Sequence, residues 1–91
     1  MVKIGSYDYK ISTNKNKKLM TTVNGQVIHF GQKGYQHYFD KTKLLDKKLN
    51  HMDKKRQESY LSRSKGIKDK NNNFTYNDPT SPNYHARKIL W

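Results

Sequence analysis

The stretch Leu19-Met20-Thr21-Thr22-Val23-Asn24-Gly25-Gln26-Val27-Ile28-His29-Phe30 decides the fold. Asn24-Gly25 is the preferred pair for a type I′ turn, because both central residues need positive φ and Asn and Gly tolerate it best. With the turn there, Val23 pairs with Gln26, Thr22 with Val27, Thr21 with Ile28, Met20 with His29 and Leu19 with Phe30. Alternation then puts Leu19, Thr21, Val23, Ile28 and Phe30 on one face, and Met20, Thr22, Val27 and His29 on the other. The first set is the expected core face of a β-hairpin.

Upstream, Tyr7, Tyr9 and Ile11 alternate with Asp8, Lys10 and Ser12, the pattern of a half-buried strand. The polar run Thr13 to Asn16 is its expected turn into the hairpin, giving a three-stranded antiparallel meander. Downstream, Gly31 and Gly34 bracket a loop. Tyr35, Tyr38 and Phe39, followed by Leu45 and Leu49 one turn apart, predict a helical piece over about 35–49. Asp53 is placed to cap a second piece running to Arg63 or Ser64, with Gly66 as its stop. No proline separates the two pieces, so the spacing leaves open whether they join. Residues 66–81 read as a loop, and Ser81-Pro82 as the capped start of a short helix through Ala86, Leu90 and Trp91. The expected architecture is a single α+β domain over 1–91, with strands within about 6–31 and helices within about 35–64 and 82–91.

Composition sets limits on that domain. Only 32% of its 91 residues are apolar, so aromatic side chains must supply much of the core. Phe30, Tyr35, Tyr38, Tyr60, Tyr84 and Trp91 are the expected core aromatics, against the rival idea of an exposed base-stacking platform. Low hydropathy with high charge is also a signature of disorder, but the turn, cap and periodicity signals are too regular for a random tail. With no cysteine, disulfides and thiolate metal sites are excluded. No apolar run follows the basic residues near the N-terminus, and no stretch is long enough to span a bilayer. An intracellular protein, neither secreted nor transmembrane, is expected.

Charge is the other dominant feature. Nineteen Lys and Arg against seven Asp and Glu give a formal charge of +12, and residues 41–70 hold eleven of those cations with four of the acids. Such a field draws polyanions. A Lys- and Asn-rich chain also suits an AT-rich genome, which inflates the lysine count independently of binding. The sharper signal is Arg56, Tyr60 and Arg63 at i, i+4 and i+7, one face of a helix. Two guanidinium groups flanking a phenol suit adjacent phosphates, with Tyr60 donating a hydrogen bond or stacking on a base. The plainer alternative has Tyr60 packed under the sheet, with the arginine stems lying over it. Lys47, Lys48, Lys54 and Lys55, together with Lys41 and Lys43, surround this face and add sequence-independent attraction.

No catalytic or metal site is expected. His29, His37, His51 and His85 lack the paired spacing of a helix-borne zinc site. His51 and Asp53 beside Arg56 would look catalytic only in a cleft that held them together. There is no nucleophile elbow, phosphate-binding glycine loop or carboxylate pair, and no cofactor or small-molecule substrate is implied.

The order of these pieces carries a resemblance. Val23-Asn24-Gly25 through His29-Phe30-Gly31, then Gly34-Tyr35, His51 and Asp53 with Arg56, Tyr60, Arg63, and finally Ser81-Pro82, Arg87 and Leu90-Trp91 resemble a family of small proteins of unknown function from nucleocytoplasmic large DNA viruses. The stretch between Tyr35 and His51 is longer here than in that pattern. The resemblance implies a hairpin-plus-helices module located in the virion or the viral factory, and supplies no activity. Two expectations follow. One is a non-enzymatic protein that binds nucleic acid through phosphates by way of Arg56, Arg63 and nearby lysines. The other is a minor capsid or cement protein whose basic face meets acidic virion proteins or the internal membrane.

Overall fold

A computed structural model describes residues 2–91. Four strands, β1 (Val2–Ile4), β2 (Tyr7–Ile11), β3 (Lys17–Val23) and β4 (Gln26–Gln32), form one antiparallel sheet in sequence order. Two helices follow, α1 (Lys54–Lys65) and α2 (Pro82–Ile89). The α+β class and the hairpin register stand as the sequence implies: Val23 pairs with Gln26, and Leu19 with Phe30. Asn24 and Gly25 take φ of 50° and 80°, as a type I′ turn requires. The sheet has one strand more than the expected meander. Gly5, at φ 62°, turns the chain so that Ile4 pairs with Tyr7, a two-residue connection with glycine at its first position.

The core lies between the sheet and α2. Tyr9, Leu19 and Phe30 from the sheet meet Ala86, Ile89 and Leu90. Thr21, Val23 and Ile28 on the same face are also buried, whereas Ile11 is half exposed. Tyr9 does what a buried tyrosine must: its ring packs edge-on to Phe30 with centroids 5.7 Å apart, and its hydroxyl pairs with His85 Nδ1 at 2.9 Å. His85 Nε2 lies 2.7 Å from Pro79 O. That nitrogen must donate to the carbonyl, and in the neutral ring Nδ1 then accepts from the tyrosine. Burial holds its pKa below the ordinary histidine value.

The helix expected over about 35–49 does not form; that span is an irregular strap with one 3-10 turn, Lys47–Leu49. Its backbone groups have other partners. Tyr38 and Phe39 N–H donate to Leu90 O, and Lys41 N–H donates to Ile89 O. Lys41 Nζ reaches Lys88 O at 2.6 Å. The strap thereby satisfies carbonyls that the end of α2 leaves without intrahelical partners. Asp40, 2% exposed, locks its shape. Its carboxyl oxygens accept from Thr42 N–H, Thr42 hydroxyl and Leu45 N–H at 2.8, 2.5 and 2.8 Å. Local carboxyl-to-backbone bonding of this kind competes with helix formation.

The two expected helical pieces therefore do not join. Met52, at φ 48°, turns the chain just before α1. The Asp53 side chain accepts from Lys55 and Arg56 N–H at 3.0 and 3.3 Å and starts the helix there. Gly66 ends it in a right-handed conformation, φ −88°, not the left-handed one glycine usually supplies. Ser81 caps α2 through Asn83 N–H, with Pro82 in its first turn. Among the described residues, no helix is long and apolar enough to cross a membrane.

Candidate nucleic-acid interface

Helix α1 does not lie on the sheet. Its inner face, Gln57, Tyr60, Leu61 and Ser64, leans on α2 and the chain's last residues through one aromatic stack and several polar bonds. Tyr60 stacks on Trp91, with ring centroids 4.2 Å apart and planes 8° from parallel. Gln57 Nε2 donates to Trp91 O at 2.6 Å. Arg87 donates to Leu61 O and Ser64 Oγ at 2.5 and 2.6 Å. Held this way, α1 stands off the open end of the β3–β4 hairpin.

The gap is a cleft of about 730 Å³. One wall is α1, with Lys55, Arg56, Ser59, Tyr60 and Arg63. The facing wall is Lys17, Lys18, Gly31 and Gln32 with Tyr35 and Gln36 from the strap, and Pro82, Asn83, Ala86 and Leu90 line it from α2 and its end. Among the described residues, five basic residues line the cleft and no Asp or Glu does. The Lys18 ammonium is turned inward onto Tyr35 O and His37, leaving four cations for a ligand. The single ion pair among the described residues lies elsewhere, Lys48 with Asp46 at 3.6 Å on the surface. Arg56 spans the walls, donating to Gln36 Oε1 at 3.1 Å, and Arg63 Nε donates to Ser59 O at 3.3 Å. A guanidinium has five N–H donors, so each keeps several for a ligand.

Of the expected site residues, Arg56, Tyr60 and Arg63 line the cleft together with Lys55. Tyr60 does not pack under the sheet. Burial pushes its phenol pKa up while Arg87 and Arg63 pull the other way. Lys47, Lys48 and Lys54 are not part of the cleft. Lys47 and Lys48 lie on the 3-10 turn, and Lys54 Nζ sits 5.3 Å from the Tyr38 ring centre. Sequence reasoning missed Lys17, Lys18 and Gln36, which reach the site only through tertiary folding. It also placed Tyr35 in the core, whereas its side chain is exposed. The neighbouring Gly34, at φ 90°, was the available sign of a turn presenting it to solvent.

Behind the sheet-side wall lies a buried polar chain. Lys18, 4% exposed, donates from Nζ to Tyr35 O and to His37 Nδ1, the latter at 3.1 Å. His37 Nε2 meets Asn50 Oδ1 at 2.7 Å, and that oxygen also accepts from Asp40 N–H at 3.0 Å. With a lysine donating to Nδ1, His37 is neutral and carries its proton on Nε2. Burial, then the Lys18 charge, hold its pKa low. Burial also lowers the Lys18 pKa, and Asp40 opposes that.

His51 and Asp53 do not form a catalytic pair. His51 Nδ1 accepts from Asp53 N–H at 2.9 Å, while the Asp53 carboxyl is engaged in capping α1. The His51 ring sits near Tyr38 and Trp91, at 6.2 and 5.1 Å between centroids. Burial and then Arg56 lower its pKa, and its Nε2 is buried without a hydrogen-bond partner.

Fold and site together define a small basic α+β domain with an acid-free cationic cleft between a hairpin and a helix. Residues 7–43, from β2 into the strap, are similar to a family of unknown function (DUF5754). No curated protein and no solved structure matches the chain.

Proposed function

We propose that this protein is a non-enzymatic nucleic-acid-binding protein that holds the phosphate backbone in the cleft between α1 and the β3–β4 hairpin. The observation that supports this reading is the gathering of Lys17, Lys55, Arg56 and Arg63 around one concave site that no acid lines among the described residues. Arg56 and Arg63 offer forked donors to phosphate oxygens, and Lys55 and Lys17 act as point charges on opposite walls. The driving force is release of counterions from the polyanion, which is independent of sequence. A cement protein would use the same charge on a flat face. Concentration of the arginines inside a cleft favours a threadlike polyanion instead.

The test is fluorescence anisotropy with labelled oligonucleotides over a salt series. Four cleft cations each on a phosphate give a log–log salt slope of about −2.8 for a single strand, or roughly fifty-fold weaker binding at 200 mM than at 50 mM salt. Replacing Arg56 and Arg63 by Ala halves the slope to about −1.4, leaving a roughly sevenfold loss over the same range. Replacing Lys47 and Lys48 by Ala leaves it nearer the original. Absence of binding to single and double strands at about 50 mM salt rejects the reading.

A further inference from the structure

We infer that the cleft takes a single strand, with Tyr35 as the platform on which an unpaired base stacks. This rests on the proposed function and narrows its ligand. The chain has seven tyrosines. Six of them face another aromatic ring: Tyr7 and Tyr84 each other, Tyr9 Phe30, Tyr38 His51, Tyr60 Trp91, and Tyr76 Phe74. Tyr35 is the exception among the described residues, and it is 64% exposed. A domain so short of apolar area leaves its one unpartnered tyrosine at the lip of the cationic cleft.

Its backbone is nevertheless fixed. The Tyr35 carbonyl accepts from the buried Lys18 Nζ, and the next buried side chain, His37, is hydrogen-bonded on both ring nitrogens. The ring is therefore presented to the cleft from an anchored main chain, which lowers the entropy lost when a base settles on it. Arg56 lines the same cleft and donates to Gln36, the residue next to Tyr35, at 3.1 Å.

Dimensions point the same way. A volume of about 730 Å³ falls within the roughly 300–1,000 Å³ typical of sites for a single small organic ligand. One or two nucleotides fit such a space. A duplex does not enter it, and a duplex turns its base faces inward where Tyr35 has nothing to stack on. A basic groove that follows the backbone, combined with an exposed aromatic for the bases, is the recurrent solution for single strands.

The experiment compares Tyr35→Ala and Tyr35→Phe with the unaltered full-length chain, by anisotropy, on a short single strand and on the duplex of the same sequence. The single strand is expected to bind more tightly than the duplex at equal salt. Tyr35→Ala is expected to weaken the single strand about five- to tenfold and to leave the duplex unchanged. Its salt slope should be unaltered, since no charge is removed, and Tyr35→Phe should keep most of the affinity. Equal or tighter duplex binding, or single-strand affinity indifferent to Tyr35→Ala, overturns the inference while leaving phosphate binding intact. Failure of both oligonucleotides to bind overturns the inference and the proposed function together.

Discussion

Gly31 is the residue where fold and cleft meet most tightly, and replacing it by alanine should be severe. It lies in β4 at φ 77° and lines the cleft. A Cβ built there would stand 2.8 Å from Leu90 Cδ1 and 3.2 Å from Lys18 Cβ. To admit it, Leu90, 1% exposed, and Lys18, 4% exposed, must shift from their packed positions. A left-handed conformation costs an L-residue about 1–2 kcal/mol, and forcing a methyl into a packed site adds about 1–3 kcal/mol. The combined cost of about 2–5 kcal/mol is a large part of a small domain's stability and lowers its melting temperature by roughly 10–30 °C.

Gly25 is the control. It has a similar φ of 80° but nothing within 4 Å of the added carbon. Gly25→Ala therefore carries only the conformational cost, about 1–2 kcal/mol or roughly 5–15 °C. Thermal unfolding followed by circular dichroism measures both variants. If Gly31→Ala melts within about 3 °C of Gly25→Ala, Leu90 does not close over the hairpin as described and the packing of α2 on β4 is wrong.

Further outcomes follow from individual contacts. His37 and His85 are both held neutral with folded pKa values below the unfolded one. Their contribution is fully present above the ordinary histidine range and is lost as pH falls through it, because the unfolded chain then binds more protons. Urea midpoints should drop between pH 7.5 and pH 5, and His37→Gln should shrink that drop; an unchanged pH dependence contradicts the neutral assignment. Asp53→Ala removes the cap of α1 and should cost about 1 kcal/mol of stability, weakening oligonucleotide binding as the arginine-bearing helix frays. Trp91→Ala removes the stack beneath Tyr60, and amide exchange should then accelerate in α1 while β3 and β4 stay protected. Exchange that rises equally in the sheet would mean α1 is not held by that stack.

The legible parts of the sequence were those settled by neighbours in the chain. Asn24-Gly25 specified turn and register together, Asp53 and Ser81-Pro82 specified where helices begin, and an eight-residue window put Arg56, Tyr60 and Arg63 on one face. The strap was misread because Tyr35, Tyr38 and Leu45 imitate helical spacing. Its backbone amides instead bond to the end of α2, about fifty residues away in sequence, and Asp40 fixes the bend. β1 was missed because Val2 to Ile4 offers too few residues to show alternation. Half of the site was invisible for a similar reason. Nothing local separates Lys17 and Lys18 from the chain's other lysines, and only the adjacent Gly34 distinguishes Tyr35 from an ordinary core tyrosine.

Amide chemical-shift mapping by NMR tests the central claim most directly. The isotope-labelled protein is titrated with a short single-stranded oligonucleotide at low salt. Shifts are predicted to concentrate at Lys17, Gly31, Tyr35, Arg56, Tyr60 and Arg63, the two walls of the cleft. Shifts centred on Lys47 and Lys48, or scattered over all lysine-bearing surfaces with the cleft unmoved, would show that the charge binds nucleic acid without a site.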